Sequence, residues 1–196
     1  MRAHQLLLLM ALMACPAGKG GSGSASSDEN APFALNKFDS ALFFGEVDED
    51  GEWGEGYLLL STEEVSCDDI GDDEFYDILT DPIGSGLLFL VQWYREDPED
   101  DDPLSGFEGL YLGGYGYNYE EEAARVSLAV AFHEGYYYIL SGYYSGGSWI
   151  RFDQVSESAA EGEFDTEYWS GTFDADNCGL EVSEGGDYYD SGYYYK

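Results

Sequence analysis

Positive charge is scarce in this chain: 7 lysines and arginines stand against 41 aspartates and glutamates, a net charge of −34 over 196 residues. Among the acids only Asp28 and Glu29 precede residue 31, so nearly all of them share the rest of the chain with Lys37, Arg95, Arg125, Arg151 and Lys196. A surface of that sign disfavours nucleic acid and anionic lipid headgroups as direct partners. Spread over the roughly 8,000 Å² that a domain of this mass exposes, the charges lie about 15 Å apart, beyond the Debye length of about 10 Å at 0.1 M salt. Self-repulsion is then modest in saline and serious in dilute buffer. Salt adaptation, divalent-cation binding and solubility alone all remain open as reasons for the acidity.

Motifs of soluble enzymes are missing as well. There is no phosphate loop, no dinucleotide fingerprint, no Gly-x-Ser-x-Gly elbow and no metal-ligand cluster with diagnostic spacing. Histidine occurs twice. Of the two, His133 alone lies beyond the first residues; it would serve a Ser or Cys nucleophile as base, but it ends a strand and reads as a rim residue. Paired carboxylates would suit an extracellular glycan hydrolase, yet with this many acids no pair stands out. No catalytic residue is assigned.

No apolar run reaches the roughly 20 residues of a membrane-spanning helix. The longest, Leu6 to Ala14, follows Arg2 and stops at Cys15, where a polar stretch rich in Gly and Ser begins, which are the parts of a secretory signal. Leu12-Met13-Ala14-Cys15 resembles the lipobox of bacterial lipoproteins, in which signal peptidase cuts before a cysteine that then carries lipid. That resemblance implies a signal peptide over 1–14, a lipid anchor at Cys15 and an exported protein held to the outer membrane or cell surface. The alternative is an ordinary secretory signal with an incidental cysteine. Composition makes residues 15–35 a flexible linker, 36–184 the folded domain and 185–196 a Tyr/Gly-rich tail.

Cleavage there leaves Cys67 and Cys178, 111 positions apart. In an exported chain two remaining cysteines read as one disulfide, which would contribute about 4 to 5 kcal/mol by restricting the unfolded chain. Two free thiols are the alternative. Metal binding by this pair is disfavoured, since zinc sites need three or four ligands and His133 is the only histidine left after cleavage.

The rest of the pattern is β. Ser40–Val47 and Trp53–Ser61 flank an Asp/Gly-rich turn and predict a hairpin. Further strands are expected at 86–94, 108–112, 124–133, 136–142, 148–155, 162–175 and 179–183. Pro98 and Pro103 keep the acidic loop 95–103 out of any ladder. Val126, Leu128, Val130 and Phe132 alternate as one core face. Residues 72–81 suit a short helix ending at Asp81-Pro82. Together these features predict an antiparallel β-sandwich with one short helix, a closed β-barrel being the alternative.

Gly171-Thr-Phe-Asp-Ala175, followed by Cys178, resembles the last strand of uncharacterised lipoproteins from myxobacteria and related bacteria. Those chains also carry an earlier cysteine after an apolar strand, as Tyr57 to Cys67 does here. The resemblance implies export, a β-rich fold and the disulfide, and carries no activity.

Two binding chemistries remain. Glu46 to Tyr57 partly follows a calcium loop, with Asp48, Asp50 and Gly51 in place, but Glu46 holds the first ligand position and Tyr57 the twelfth, where a bidentate Glu is required. Asp97 to Asp102, and Asp68, Asp69, Asp72 and Asp73, are further acidic loops that would gather a cation weakly; calcium is the one cofactor considered. The tyrosines Tyr111, Tyr115, Tyr117, Tyr119, Tyr136 to Tyr138, Tyr143, Tyr144, Tyr188, Tyr189 and Tyr193 to Tyr195 offer stiff amphipathic rings for a protein or glycan ligand. The sequence therefore describes a lipid-anchored binding or envelope-surface protein without an enzymatic motif. A calcium-assisted carbohydrate-binding or adhesion module is the second reading and a glycan hydrolase the third.

Overall fold

The computed structural model describes residues 21–48, 53–69, 84–94, 107–113, 123–141 and 147–183. They form β1 (Ser22–Ser27), β2 (Lys37–Phe38), β3 (Ser40–Asp48), β4 (Trp53–Ser61), β5 (Ser85–Tyr94), β6 (Gly109–Gly113), β7 (Ala123–His133), β8 (Tyr136–Ser141), β9 (Trp149–Val155), β10 (Ala159–Asp165) and β11 (Trp169–Ser183). The all-β expectation holds, and of the two architectures the closed barrel is the one formed. Eight strands close in the order β3-β4-β5-β7-β6-β9-β10-β11, and β11 returns to β3.

The ring has two antiparallel halves, β3-β4-β5-β7 and β6-β9-β10-β11. Two parallel seams join them, a long one between β11 and β3 and a short one between β6 and β7 made at Leu112↔Arg125 and Gly113↔Val126. Two packed sheets would satisfy the same alternating pattern. The parallel seams are what remove the free edges and convert a sandwich into a barrel. At each seam a long strand divides one edge between two neighbours: β7 between β6 and β8, β11 between β3 and β1.

Aromatic rings fill the interior. Phe89 on β5 and Phe164 on β10 belong to strands on opposite sides of the ring, yet their centroids are 5.6 Å apart. Phe43 meets Phe107 and Phe152 at 5.2 and 5.3 Å. An eight-stranded barrel is just wide enough to be packed this way, so its centre is core. Small inward residues, Ala41, Ala129, Ala131, Ala160 and Ala175, leave space for the rings.

The face expected along β7 is not continuous. A bulge lies where Leu128 pairs with Leu90 but Val126 pairs with Val91, which places an extra residue, Ser127, in β7 and reverses the pleat. Val126 therefore faces inward with Ala129 and Ala131, whereas Leu128, Val130 and Phe132 face out. They are apolar because that outer face is largely covered too.

Residues 22–27, Gly/Ser-rich and assigned by composition to the linker, are strand β1, paired with β11 from Ser22↔Asp174 to Ser27↔Trp169. The two strands approach closely: a Cβ on Gly23 of β1 would lie 2.8 Å from the Thr172 carbonyl oxygen, and one on Gly171 of β11 would lie 1.9 Å from the Ser24 carbonyl oxygen. Ser24 and Thr172 hydroxyls hydrogen-bond at 2.9 Å. Beyond β1 the chain crosses one barrel end, where Phe33 and Leu35 enter the core and the Trp169 indole donates to the Phe33 carbonyl at 3.2 Å.

The single strand expected at 162–175 is a hairpin instead. Thr166 turns the chain: its hydroxyl oxygen accepts from the Trp169 amide and donates to the Trp169 carbonyl, which supplies a turn without Gly or Pro. The separate strand at 179–183 is the end of β11, continued past an irregularity between Asn177 and Leu180. The helix expected at 72–81 lies outside the described residues, as does the acidic loop 95–103.

Candidate functional site

The two halves of the barrel present different outer faces. On β3, β4, β5 and β7 the outward residues Leu42, Leu59, Leu88 and Phe132 are buried in a second apolar cluster with Val65. The segment after β4 forms its cover. The Val65 amide donates to the Ser40 hydroxyl at 2.7 Å, and a 3-10 turn at Cys67–Asp69 brings Cys67 to Cys178, the pair forming a disulfide with a Cα–Cα distance of 5.1 Å. Asp69 accepts from the amide and hydroxyl of Ser66, and these hydrogen bonds hold its carboxyl below the usual range.

Toward the other barrel end this face becomes polar. The Gln92 side-chain oxygen accepts from the Arg125 guanidinium at 2.6 Å and from Ser127 at 2.5 Å. Its amide donates to Glu55, which also accepts from the Tyr57 hydroxyl. Phe44 stacks on Tyr57 at 5.2 Å.

On β9, β10 and β11 most outward positions are charged. Asp153, Glu161, Glu163, Asp165, Asp174 and Asp176 stand there with Arg151. Arg151 is held by Asp153 at 2.7 Å and Glu163 at 3.2 Å, which raises its pKa further, the Asp153 hydrogen bond contributing most. Asp176 is pushed upward, first by burial and then by neighbouring Asp174.

Against this background the exposed large apolar residues, among those described, are localised. Leu110, Leu112, Tyr136, Tyr137 and Ile139 are 49%, 56%, 70%, 40% and 73% exposed. All belong to β6 and β8, the two strands that share one edge of β7. Leu112 is level with Arg125 and Ile139 with Val130; with the Ser127 bulge these levels are four steps apart on β5, so the two groups lie about 13 Å apart along the seam at the usual strand rise. The alternation in Gly109-Leu-Tyr-Leu-Gly113 explains β6: Tyr111 points inward and is fully buried, which turns both leucines out. In β8 a two-residue turn at Glu134 and Gly135, with φ of +50° and +81°, fixes the register with β7. Tyr138 and Leu140 pack on the core, while Tyr137 and Ile139 lie beside Phe132 and Val130.

His133 accompanies Ser85. The Ser85 hydroxyl and His133 Nδ1 are 2.6 Å apart, Phe33 stacks on the imidazole at 4.6 Å, and Glu134 lies 4.0 Å from Nε2. This has the form of a nucleophile and an oriented base. However, the Ser85 amide donates to the Thr62 hydroxyl, and that use removes the donor best placed to stabilise an oxyanion. The two residues are also direct cross-strand partners, so register alone explains the contact.

Of the residues singled out by sequence, Cys67 and Cys178 are brought together. Cys15 and Asp50 lie outside the described residues, and Asp48 ends β3 opposite Ser183. Among the described residues no group of three or more His, Cys, Asp or Glu is arranged to hold a metal. Tyr111, expected among the binding tyrosines, is core, with its hydroxyl donating to the Phe107 carbonyl at 3.0 Å. Tyr115, Tyr117, Tyr119, Tyr143, Tyr144 and the tail tyrosines lie outside the described residues. Leu110 and Leu112 were not singled out, although a glycine-flanked Leu-x-Leu around a tyrosine is apolar on both faces. No helix among the described residues is long and apolar enough to cross a membrane. No protein-family model, curated protein or solved structure matches the chain.

Proposed function

We propose that this chain is an exported, lipid-anchored barrel that binds a partner at the cell envelope without acting on it as an enzyme. The observation that carries this reading is the confinement of the exposed large apolar residues, among those described, to β6 and β8 beside β7. Scattered surface leucines need no explanation, but clustered ones mark an interaction face. A barrel whose described interior is occupied by buried aromatic and aliphatic side chains supports the same reading, because it favours binding on its outside.

The anchor acquires a geometric consequence. The Ala41 amide donates to the Gly21 carbonyl at 2.9 Å, which ties Gly21 to the barrel. Six residue steps separate Gly21 from Cys15, at most about 22 Å of extended chain. A lipidated Cys15 would hold the barrel against its membrane with little freedom.

Two measurements test the proposal together. Mass spectrometry of the mature N-terminus should find an acylated Cys15; an unmodified terminus at another residue removes the anchor. Cross-linking in the native envelope should capture a partner that the variant carrying Leu110→Ser, Leu112→Ser and Ile139→Ser loses. Identical capture by both proteins overturns the binding face.

A further inference from the structure

We infer that the β6 end of this face receives a cationic amphipathic polypeptide segment, a ligand class that rests on the proposed binding role and narrows it. Cross-strand register places the relevant side chains in rows. Leu112, Trp149 and Asp165 are successive partners on β6, β9 and β10, and Leu110, Arg151 and Glu163 form the adjacent row. Leu110 and Leu112 are about half exposed, and Trp149 is partly exposed beside them. At strand spacings near 4.8 Å, the Asp165 carboxylate lies about 10 Å across the sheet from Leu112.

An apolar strip is thus bordered on one side by a carboxylate sheet in which Arg151 already binds Asp153 and Glu163; on the other side Arg125 stands level with Leu112 and is engaged by Gln92, which in turn donates to Glu55. The border therefore offers net negative potential. A segment that places apolar side chains on Leu110, Leu112 and Trp149 would bring its flanking residues over Asp165, Glu163 and Glu161. Lysine or arginine there gains from the field, and aspartate or glutamate is repelled. A second copy of this chain would bring the same net −34 charge and is disfavoured in the same way, as is an anionic bilayer.

The probe is a short synthetic peptide of leucine and lysine with its apolar residues on one face. Two controls accompany it, one with serine replacing leucine and one with glutamate replacing lysine. Titration of the full chain in saline should show binding of the first peptide only. Leu110→Ser with Leu112→Ser, both exposed and checked by an unchanged melting curve, should weaken it about tenfold, the effect of losing part of two buried leucines. Asp165→Asn with Glu161→Gln should weaken it about threefold and flatten its salt dependence.

Equal binding of the serine control, or indifference to the leucine substitutions, would show plain attraction to a polyanion and overturn the inference. Concentration-dependent dimerisation abolished by the same leucine substitutions would assign the strip to a second copy and also overturn it. If envelope capture depends on Leu110 and Leu112 but the peptide does not bind, the ligand class falls and the binding face stands. If neither depends on them, both fall.

Discussion

In one half of the barrel Leu42, Leu59, Leu88 and Phe132 point outward and are still buried; in the other, the corresponding outward positions carry Arg151, Glu163, Thr172 and Asp174. Both halves contribute rings to one interior, so the difference lies in what covers them. An antiparallel sheet with one wet face needs only the core. The half that is apolar on both faces needs a second layer, which the Val65 to Asp69 segment and the Cys67–Cys178 bond provide. The exposed leucines, tyrosines and isoleucine of β6 and β8 lie where that apolar half meets the charged one.

The largest test of this contrast is to remove the cover. Cys67→Ala with Cys178→Ala should cost about 3 to 5 kcal/mol, the value expected for a cross-link spanning so long a loop. Denaturant unfolding would measure it, and dye binding at low denaturant should rise as Leu42, Leu59, Leu88 and Phe132 lose their lid. A loss under 1 kcal/mol would mean that the outer cluster holds without the bond, and the halves would then differ less than the burial implies.

Next in size is a paired truncation at outward positions. Leu88→Ala should cost about 2 to 4 kcal/mol, as for a core leucine. Thr172→Ala, also outward but in the charged half, should change stability by about 0.5 kcal/mol or less. Equal effects would erase the comparison. A third test concerns the seam that β1 protects: Gly171→Val should destabilise by about 2 kcal/mol, because a side chain there meets the Ser24 carbonyl.

The same contrast decides what could be read from the chain. Strands with one wet face, such as Trp149 to Val155, show clean alternation, and most strand positions were legible to within a residue or two. Closure was not, because it depends on which strands lie side by side, and the parallel β6–β7 seam joins them, among the described residues, through two residue pairs. The bulge at Ser127 was invisible because Val126 to Phe132 is apolar on both sides of the break. β1 was hidden by its composition: Ser and Gly suit a linker, and only the closeness of β11 explains them in a strand. In the candidate site the disulfide was legible by counting cysteines. The exposed leucines were not, since exposure is a property of neighbours.

The smallest expected effects have opposite signs in the two regions. Asp69, in the cover of the apolar half, is held below the ordinary carboxylate range by Ser66. A depressed group contributes stability above its unfolded pKa, near 3.9, and loses it as pH falls through the folded value. Asp69→Asn should therefore lower the melting temperature at pH 7 and converge with wild type in stronger acid. Asp176 is raised by burial and by Asp174, so its contribution is complete below the unfolded pKa and lost as pH rises through the folded value. Asp176→Asn should raise the melting temperature at pH 7 and leave it unchanged near pH 3. Added salt should shrink the Asp176 effect, because part of it is repulsion from Asp174, and should leave the hydrogen-bonded Asp69 effect largely intact. Two melting curves of the same sign would show that the carboxylates of the two regions share one electrostatic environment, which their different partners argue against.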